Sequence, residues 1–166
     1  VFRGYKSDIF EGGHRIPFLA RWPDQIESGT RSDETICLTD MLKTCASING
    51  VDVPSNAGED SYDILPALVG KQFTAPIREA TVSTAGNGTF SIRQGRWKLD
   101  LTGSTGGYGN ISQEEVAAQG LPLIQLYDLE NDIGETNNVY AEYPDVVNRL
   151  NALLESYKVR GRSTPT

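Results

Sequence analysis

The apolar positions gather into a few periodic runs separated by polar stretches rich in glycine and proline. In Arg15–Pro23, the residues Ile16, Phe18, Leu19, Ala20 and Trp22 form a nearly continuous apolar run. Such a run predicts a short strand buried on both faces. Residues 24–33 are polar and carry Gly29, which predicts a loop. Leu38, Met41, Leu42 and Cys45 recur at i, i+3, i+4 and i+7, the spacing of an amphipathic helix. Thr39 or Asp40 would cap its start, and Asn49-Gly50 would stop it. Residues 53–59 read as loop, and 62–69 as a short helix or turn with Pro66 awkward inside it. The polar segment 71–76 is a plausible boundary.

Beyond residue 79 the pattern shifts to strands. Thr81–Thr84 is one candidate. Phe90 and Ile92 alternate with polar neighbours, as do Trp97, Leu99 and Leu101, and Gln94-Gly95 between them is a two-residue hairpin signal. Residues 103–109 read as a flexible glycine-rich loop and 123–129 as a further strand. Pro144 sits where a helix would begin. Val146, Val147, Leu150, Leu153, Leu154 and Tyr157 make its apolar stripe, and Gly161 ends it. Strands followed by a helix predict an α+β module with the helix over one sheet face.

Composition narrows the function classes. The chain has 166 residues, 38% of them apolar, with 17 glycines and 8 prolines, so much of it is loop. No run of 18 apolar residues exists, so no membrane span is expected. A net charge of -7 argues against a nucleic-acid binder held by phosphate contacts. Against that acidic background the first 21 residues collect Arg3, Lys6, Arg15 and Arg21 with only Asp8 and Glu11, which suggests one wall of an anion site. Glu11 and Arg15 are placed to pair or to hold loop backbone groups, and Gly12-Gly13 to turn the backbone tightly into the strand. Cys37 and Cys45, eight residues apart on a helix, lie about 12 Å apart. That is too far for a disulfide, which predicts two unpaired, mostly buried thiols.

Several motifs fail on inspection. Gly107-Tyr108-Gly109 is followed by Ser112 where a dinucleotide fingerprint needs glycine. Gly70-Lys71 lacks the flanking residues of a phosphate loop. The stretch 128–132 has Ile133 and Val139 where a calcium loop needs glycine and glutamate, and reads as a solvated turn. Asn87-Gly88-Thr89 and Asn110-Ile111-Ser112 match the glycosylation sequon. His14 is the one histidine, too few nitrogen ligands for a metal site, and no Ser-His-Asp set can be assembled.

The block Arg3-Gly4-Tyr5-Lys6-Ser7-Asp8-Ile9-Phe10-Glu11-Gly12-Gly13-His14-Arg15-Ile16-Pro17, continuing to Trp22-Pro23, resembles a signature of the type I, formylglycine-dependent sulfatases. That signature reads Gly-Lys, a short spacer, then Glu-Gly-Gly-x-Arg-x-Pro. The likeness continues through Thr39–Leu42, Asp63–Gly70, Ile92–Leu99 and Leu126–Asn138. It is nearest the arylsulfatases and N-acetylgalactosamine-6-sulfatases. The resemblance implies an α+β fragment of an α/β alkaline-phosphatase-like sulfatase fold. Residues 1–76 would form the C-terminal end of the catalytic α/β domain, and 77–166 a subdomain with a small antiparallel sheet and a helix.

The resemblance also implies a hydrolase of aryl or sugar sulfates whose formylglycine, calcium ligands and catalytic histidines lie before Val1. The chain alone would hold no metal or cofactor and be inactive. Its partners would be that missing N-terminal part and a sulfated small molecule or glycan, in a periplasmic or secreted protein. Lys6 matches the family's sulfate-contacting lysine and is the catalytic candidate. His14 is a substrate-binding candidate. Tyr5 departs from the family, which often has glycine there. Alternatives are a phosphodiesterase or phosphonate hydrolase of the same superfamily, an inactive relative, or a stand-alone carbohydrate-binding module.

Overall fold

The alternating segments pair into a sheet in the computed structural model, which describes residues 1–165. Four strands lie in sequence order: β1 (Thr81–Thr84), β2 (Phe90–Gln94), β3 (Trp97–Asp100) and β4 (Gln125–Asp128). β2 and β3 are antiparallel, as are β3 and β4. The β2–β3 hairpin closes at Gln94 opposite Trp97, so its loop is Gly95-Arg96 rather than Gln94-Gly95. Gly95, at φ +57°, takes the left-handed position that such a tight loop requires.

The register sorts the side chains. Ile92 pairs with Leu99, and Leu99 with Leu126, which puts three fully buried apolar residues on one face. Ser91, Lys98, Asp100, Gln125 and Tyr127 share the other face and are also buried. That second face is covered by the start of the chain, where Ile9, Phe10, Ala85, Tyr127 and Leu129 form an apolar cluster.

Cα packing divides the chain into two compact units. The first comprises Val1–Pro17 and Val82–Ser156, and the second Phe18–Thr81 and the residues from Tyr157 onward. The first holds the helical turn α1 (Glu11–His14), most of the sheet and α4 (Gln113–Ala118). Sequence reading missed α4, although Ser112 and Glu115 form a capping box at its start.

The second unit holds a 3₁₀ turn (Leu38–Asp40), α2 (Met41–Ile48) and α3 (Leu65–Leu68). α2 ends at Asn49 and Gly50, the latter at φ +64°, as the sequence suggests. Its buried face is not the apolar stripe, however. Leu38 and Leu42 are 66% and 52% exposed, while Asp40 and Thr44 are fully buried. The reason is polar: Asp40 accepts from the backbone of Cys37 and Tyr62 and pairs with buried Arg78. Thr44 in turn accepts from Ile64 N at 3.1 Å. In α3, Pro66 falls in the first turn, where no amide donor is needed. α5 (Pro144–Arg160) runs the length the sequence predicts, with Leu150, Leu154 and Tyr157 buried and Gly161 beyond its end.

Residues 15–23 form no strand, and Ile16, Phe18, Leu19 and Trp22 are exposed, Leu19 at 90%. A strand exists only as part of a hydrogen-bonded ladder, and no neighbouring strand reaches this run. The cysteines are unpaired, as expected, but not mostly buried: Cys37 is half-buried and Cys45 exposed.

Candidate functional site

Lys6 lies in a turn that the surrounding chain holds tightly. Asp8 N donates to Tyr5 O at 2.9 Å, and Tyr5 N donates to Asp8 Oδ2 at 3.1 Å. Gly4 and Ser7 sit at φ +80° and +87°. The left-handed region is unfavourable for serine, so its neighbours must enforce it. They do so at short range: Gly86 N donates to Ser7 O at 2.8 Å, and Ile9 N to Thr105 O at 2.8 Å. A Cβ on Gly86 would collide with Ser7, and one on Gly107 with Asp8. The glycine-rich segment 103–109 is therefore a packed support rather than a free loop, with Gly106 buried and hydrogen-bonded to Asn110.

α1 follows directly. Gly12-Gly13 does not turn into a strand; both residues lie within this helical turn. They are glycines because a Cβ on Gly12 would strike the carbonyls of Arg3 and Gly4, and one on Gly13 that of Asp8. This close approach lets Gly12 N donate to Arg3 O at 2.7 Å.

Beneath the turn lies a buried ionic network. Lys98, 1% exposed, donates to Glu135 Oε1 at 2.6 Å and to Ile9 O at 2.9 Å. Its Nζ is 3.4 Å from Glu11 Oε1 and 4.0 Å from Asp100 Oδ1. Glu135 Oε2 accepts from Glu11 N at 2.7 Å. Arg3 donates to Glu135 O at 2.7 Å and to Tyr127 Oη at 3.1 Å, with its guanidinium 3.8 Å over the Phe10 ring. Glu135 itself sits at φ +51°. The network thus ties residues 3–11 to β3, β4 and the segment after β4.

The acids in this network differ in state. Burial alone would raise the Glu11 carboxyl. Its His14 hydrogen bond, then the charges of Lys98 and Arg93, outweigh burial and hold it at about 2. Asp100 is fully buried beside Lys98, with Ser91 opposite it on β2. Burial pushes it up to about 6, only partly offset by the charge of Lys98 and a Ser91 hydrogen bond.

Of the cations in the first 17 residues, Arg3 is engaged as above. Arg15 pairs with Glu11 at 3.2 Å, the pairing expected from sequence. Lys6 is exposed and, among the described residues, makes no hydrogen bond or ion pair. His14 is exposed at the end of α1, with Nε2 3.5 Å from Glu11 Oε1. No bond joins Lys6 to His14 among the described residues. Sequence reasoning missed Lys98 and Glu135 as parts of this site. Their signal was weak: a lysine alternating with apolar residues reads as solvent-facing.

Among the described residues there is no group of three or more His, Cys, Asp or Glu able to hold a metal ion. Neither cysteine opens a Cys-x-Pro-x-Arg sequence. No helix among the described residues is long and apolar enough to cross a membrane.

No family model matches the chain. Individual proteins do. An N-acetylgalactosamine-6-O-sulfatase of Bacteroides thetaiotaomicron is 34% identical over 160 residues, covering 96% of this chain and 30% of its own. Mouse steryl-sulfatase is 39% identical over 184 residues, covering 99% of this chain and 29% of its own. A solved structure from work on glycosaminoglycan metabolism by Bacteroides thetaiotaomicron superposes with a TM-score of 0.77 at 32% identity, covering 95% of this chain and 32% of that one. The chain spans about a third of the length of the relatives it matches. The chain is thus similar to sulfatases over nearly its whole length and shares their fold there, a match consistent with a C-terminal portion of such a protein.

Proposed function

We propose that this chain is the C-terminal part of a hydrolase of sulfate esters and that Lys6 contacts the sulfate group. The observation that carries the reading is the contrast within residues 1–17. Arg3 is engaged by Glu135 O and Tyr127 Oη, and Arg15 and His14 by Glu11, while Lys6 makes no hydrogen bond or ion pair among the described residues and stands on a turn fixed by Asp8, Gly86 and Gly107. A sulfate ester carries one negative charge, and cleavage of its S–O bond moves further charge onto the bridging oxygen. An ammonium aimed there stabilises the transition state more than the ground state. The rigidity of the turn matters, because a preorganised charge does not have to reorganise as the bond breaks. Without the formylglycine and metal ligands, the chain alone is inactive. Periplasmic or secreted location fits the reading, as does a sulfated sugar substrate, since the Bacteroides relative is named for one.

The test is sulfate release by the longer protein that carries this chain, assayed on an aryl sulfate, on 6-sulfated N-acetylgalactosamine and on a phosphodiester. The reading expects sulfate release and its loss in Lys6→Ala. Cleavage of the phosphodiester alone would instead favour a phosphodiesterase of the same superfamily.

A further inference from the structure

We propose that Asp8 and Gly107 are positioning residues for Lys6, the glycine leaving the space in which the Asp8 carboxylate clamps the turn that carries the ammonium; this deepens the sulfate-ester reading above and rests on it. Asp8 N donates to Tyr5 O at 2.9 Å, joining the last residue of a four-residue turn to the first. Lys6 and Ser7 are its central pair. Ser7 is at φ +87°, while Lys6 is not among the residues of positive φ, the pattern of a type II turn. Such a turn favours glycine at its second central position, so with serine there it needs support from outside. Asp8 supplies that support with its side chain. Besides closing the turn through its amide, it accepts from Tyr5 N through Oδ2 at 3.1 Å. Both backbone polar groups of Tyr5 are thus held by one residue, and Lys6 lies between the two.

The Asp8 side chain is buried, and its Oδ1 accepts no hydrogen bond among the described residues. An unshared oxygen on a buried acid is costly. Gly107 packs against it: a Cβ there would stand 2.1 Å from Oδ1 and 2.9 Å from Asp8 N. The φ of Gly107 lies outside the left-handed region, so its own backbone would accept a side chain. Space alone excludes one. Gly107 is also held in place. Its amide donates to Thr105 Oγ1 at 3.1 Å, its carbonyl accepts from Asn110 N at 3.2 Å, and Thr105 O accepts from Ile9 N at 2.8 Å. Lys6 is exposed and makes no hydrogen bond or ion pair among the described residues. Its flexible four-carbon stem has no partner to orient it, so the backbone it springs from is what the fold controls. A displacement of about 1 Å in a reacting group can cost roughly 10²-fold in rate.

The experiment uses the longer protein with Asp8→Ala, Asp8→Asn and Gly107→Ala, each made with Lys6 present and with Lys6→Ala. All are assayed for kcat and KM on a small aryl sulfate, with the unfolding midpoint taken alongside. With Lys6 present, Asp8→Ala and Gly107→Ala should each lower kcat/KM roughly 10- to 100-fold, the scale of a misplaced group. In the Lys6→Ala background the same two changes should cost less than about twofold, since the group they place is gone. Asp8→Asn keeps an acceptor for Tyr5 N and should recover most of the loss seen in Asp8→Ala. Gly107→Ala removes no hydrogen bond, and it carries the same comparison where Asp8→Ala does not fold. Three results would overturn the positioning role and leave Lys6 as the sulfate contact: equal losses in the two backgrounds, wild-type kcat/KM in both Asp8→Ala and Gly107→Ala, or a loss in Asp8→Asn as large as in Asp8→Ala. Near wild-type activity of Lys6→Ala alone would instead overturn the sulfate-ester reading of Lys6.

Discussion

Each of the two compact units is stabilised internally by different means. The first buries a broad apolar set, including Ile9, Phe10, Ile92, Leu99, Leu126 and Leu129, and adds an ionic network under the Lys6 turn. The second buries few apolar side chains, Ile64, Ala80 and Tyr157 among them, and centres on the Asp40–Arg78 pair. Meanwhile Phe18, Leu19, Leu38 and Leu42 of that unit are exposed. Burial of apolar surface is the ordinary source of stability. The second unit therefore rests more on a buried ion pair than on an apolar core, and it leaves an apolar stripe exposed.

The comparison can be broken most sharply at the buried charges. Lys98→Ala would leave Glu11, Asp100 and Glu135 facing one another without their shared cation. The expected cost is about 3–5 kcal/mol, the range for removing one partner of a buried pair, read by urea unfolding. A loss below about 1 kcal/mol would mean that the network behaves like a surface pair. Asp40→Ala should cost a similar amount in the second unit, since Arg78, 6% exposed, would lose its only carboxylate partner among the described residues.

The pH dependence sharpens the picture of the first unit. Glu11 is held at about 2 against an ordinary 4.5, so it contributes stability above pH 4.5 that is lost as pH falls towards 2. Asp100 is raised to about 6 from an ordinary 3.8. The fold therefore binds that proton more tightly than the unfolded chain, and stability falls as pH rises from about 4 to 6. Asp100→Asn should flatten this upper limb and leave the acid limb in place. A profile unchanged by Asp100→Asn would show that Lys98 already compensates the ionised form.

The smallest effect is expected on the exposed stripe. Leu42→Ser should alter the stability of this chain by no more than about 0.5 kcal/mol, as for an ordinary surface site. The same change in the longer protein should cost clearly more if further chain covers that face. Equal, negligible costs in both would argue that the stripe is simply surface.

The hairpin, α2 and α5 were legible because each rests on local signals: alternation around Gly95, a 3.6-residue period, and Pro144 with Gly161. The Glu11–Arg15 pair was legible as neighbours on one helical turn. The strand at 15–23 was not, because a strand depends on partners outside its own sequence. The inward face of α2 was misread because a fully bonded Asp40 and Thr44 outweigh an apolar stripe with nothing to pack on. Lys98 was invisible as a buried residue for a related reason. Alternation in a sheet usually marks the polar side as solvent-facing, and only the covering residues 3–11 reverse that. Glu135 is 124 residues from Glu11 in sequence, and no local pattern announces their contact.

The central claim is that Lys6 is a free cation on a built support, kept for chemistry rather than stability. The most direct measurement is Lys6→Ala in the longer protein, with kcat/KM on an aryl sulfate and the unfolding midpoint taken on the same preparation. The account predicts an unchanged midpoint and a loss of about 2–4 kcal/mol in transition-state stabilisation, the scale of one preorganised electrostatic group. Near wild-type kcat/KM, or a fall in activity that merely tracks a fall in the midpoint, would contradict it.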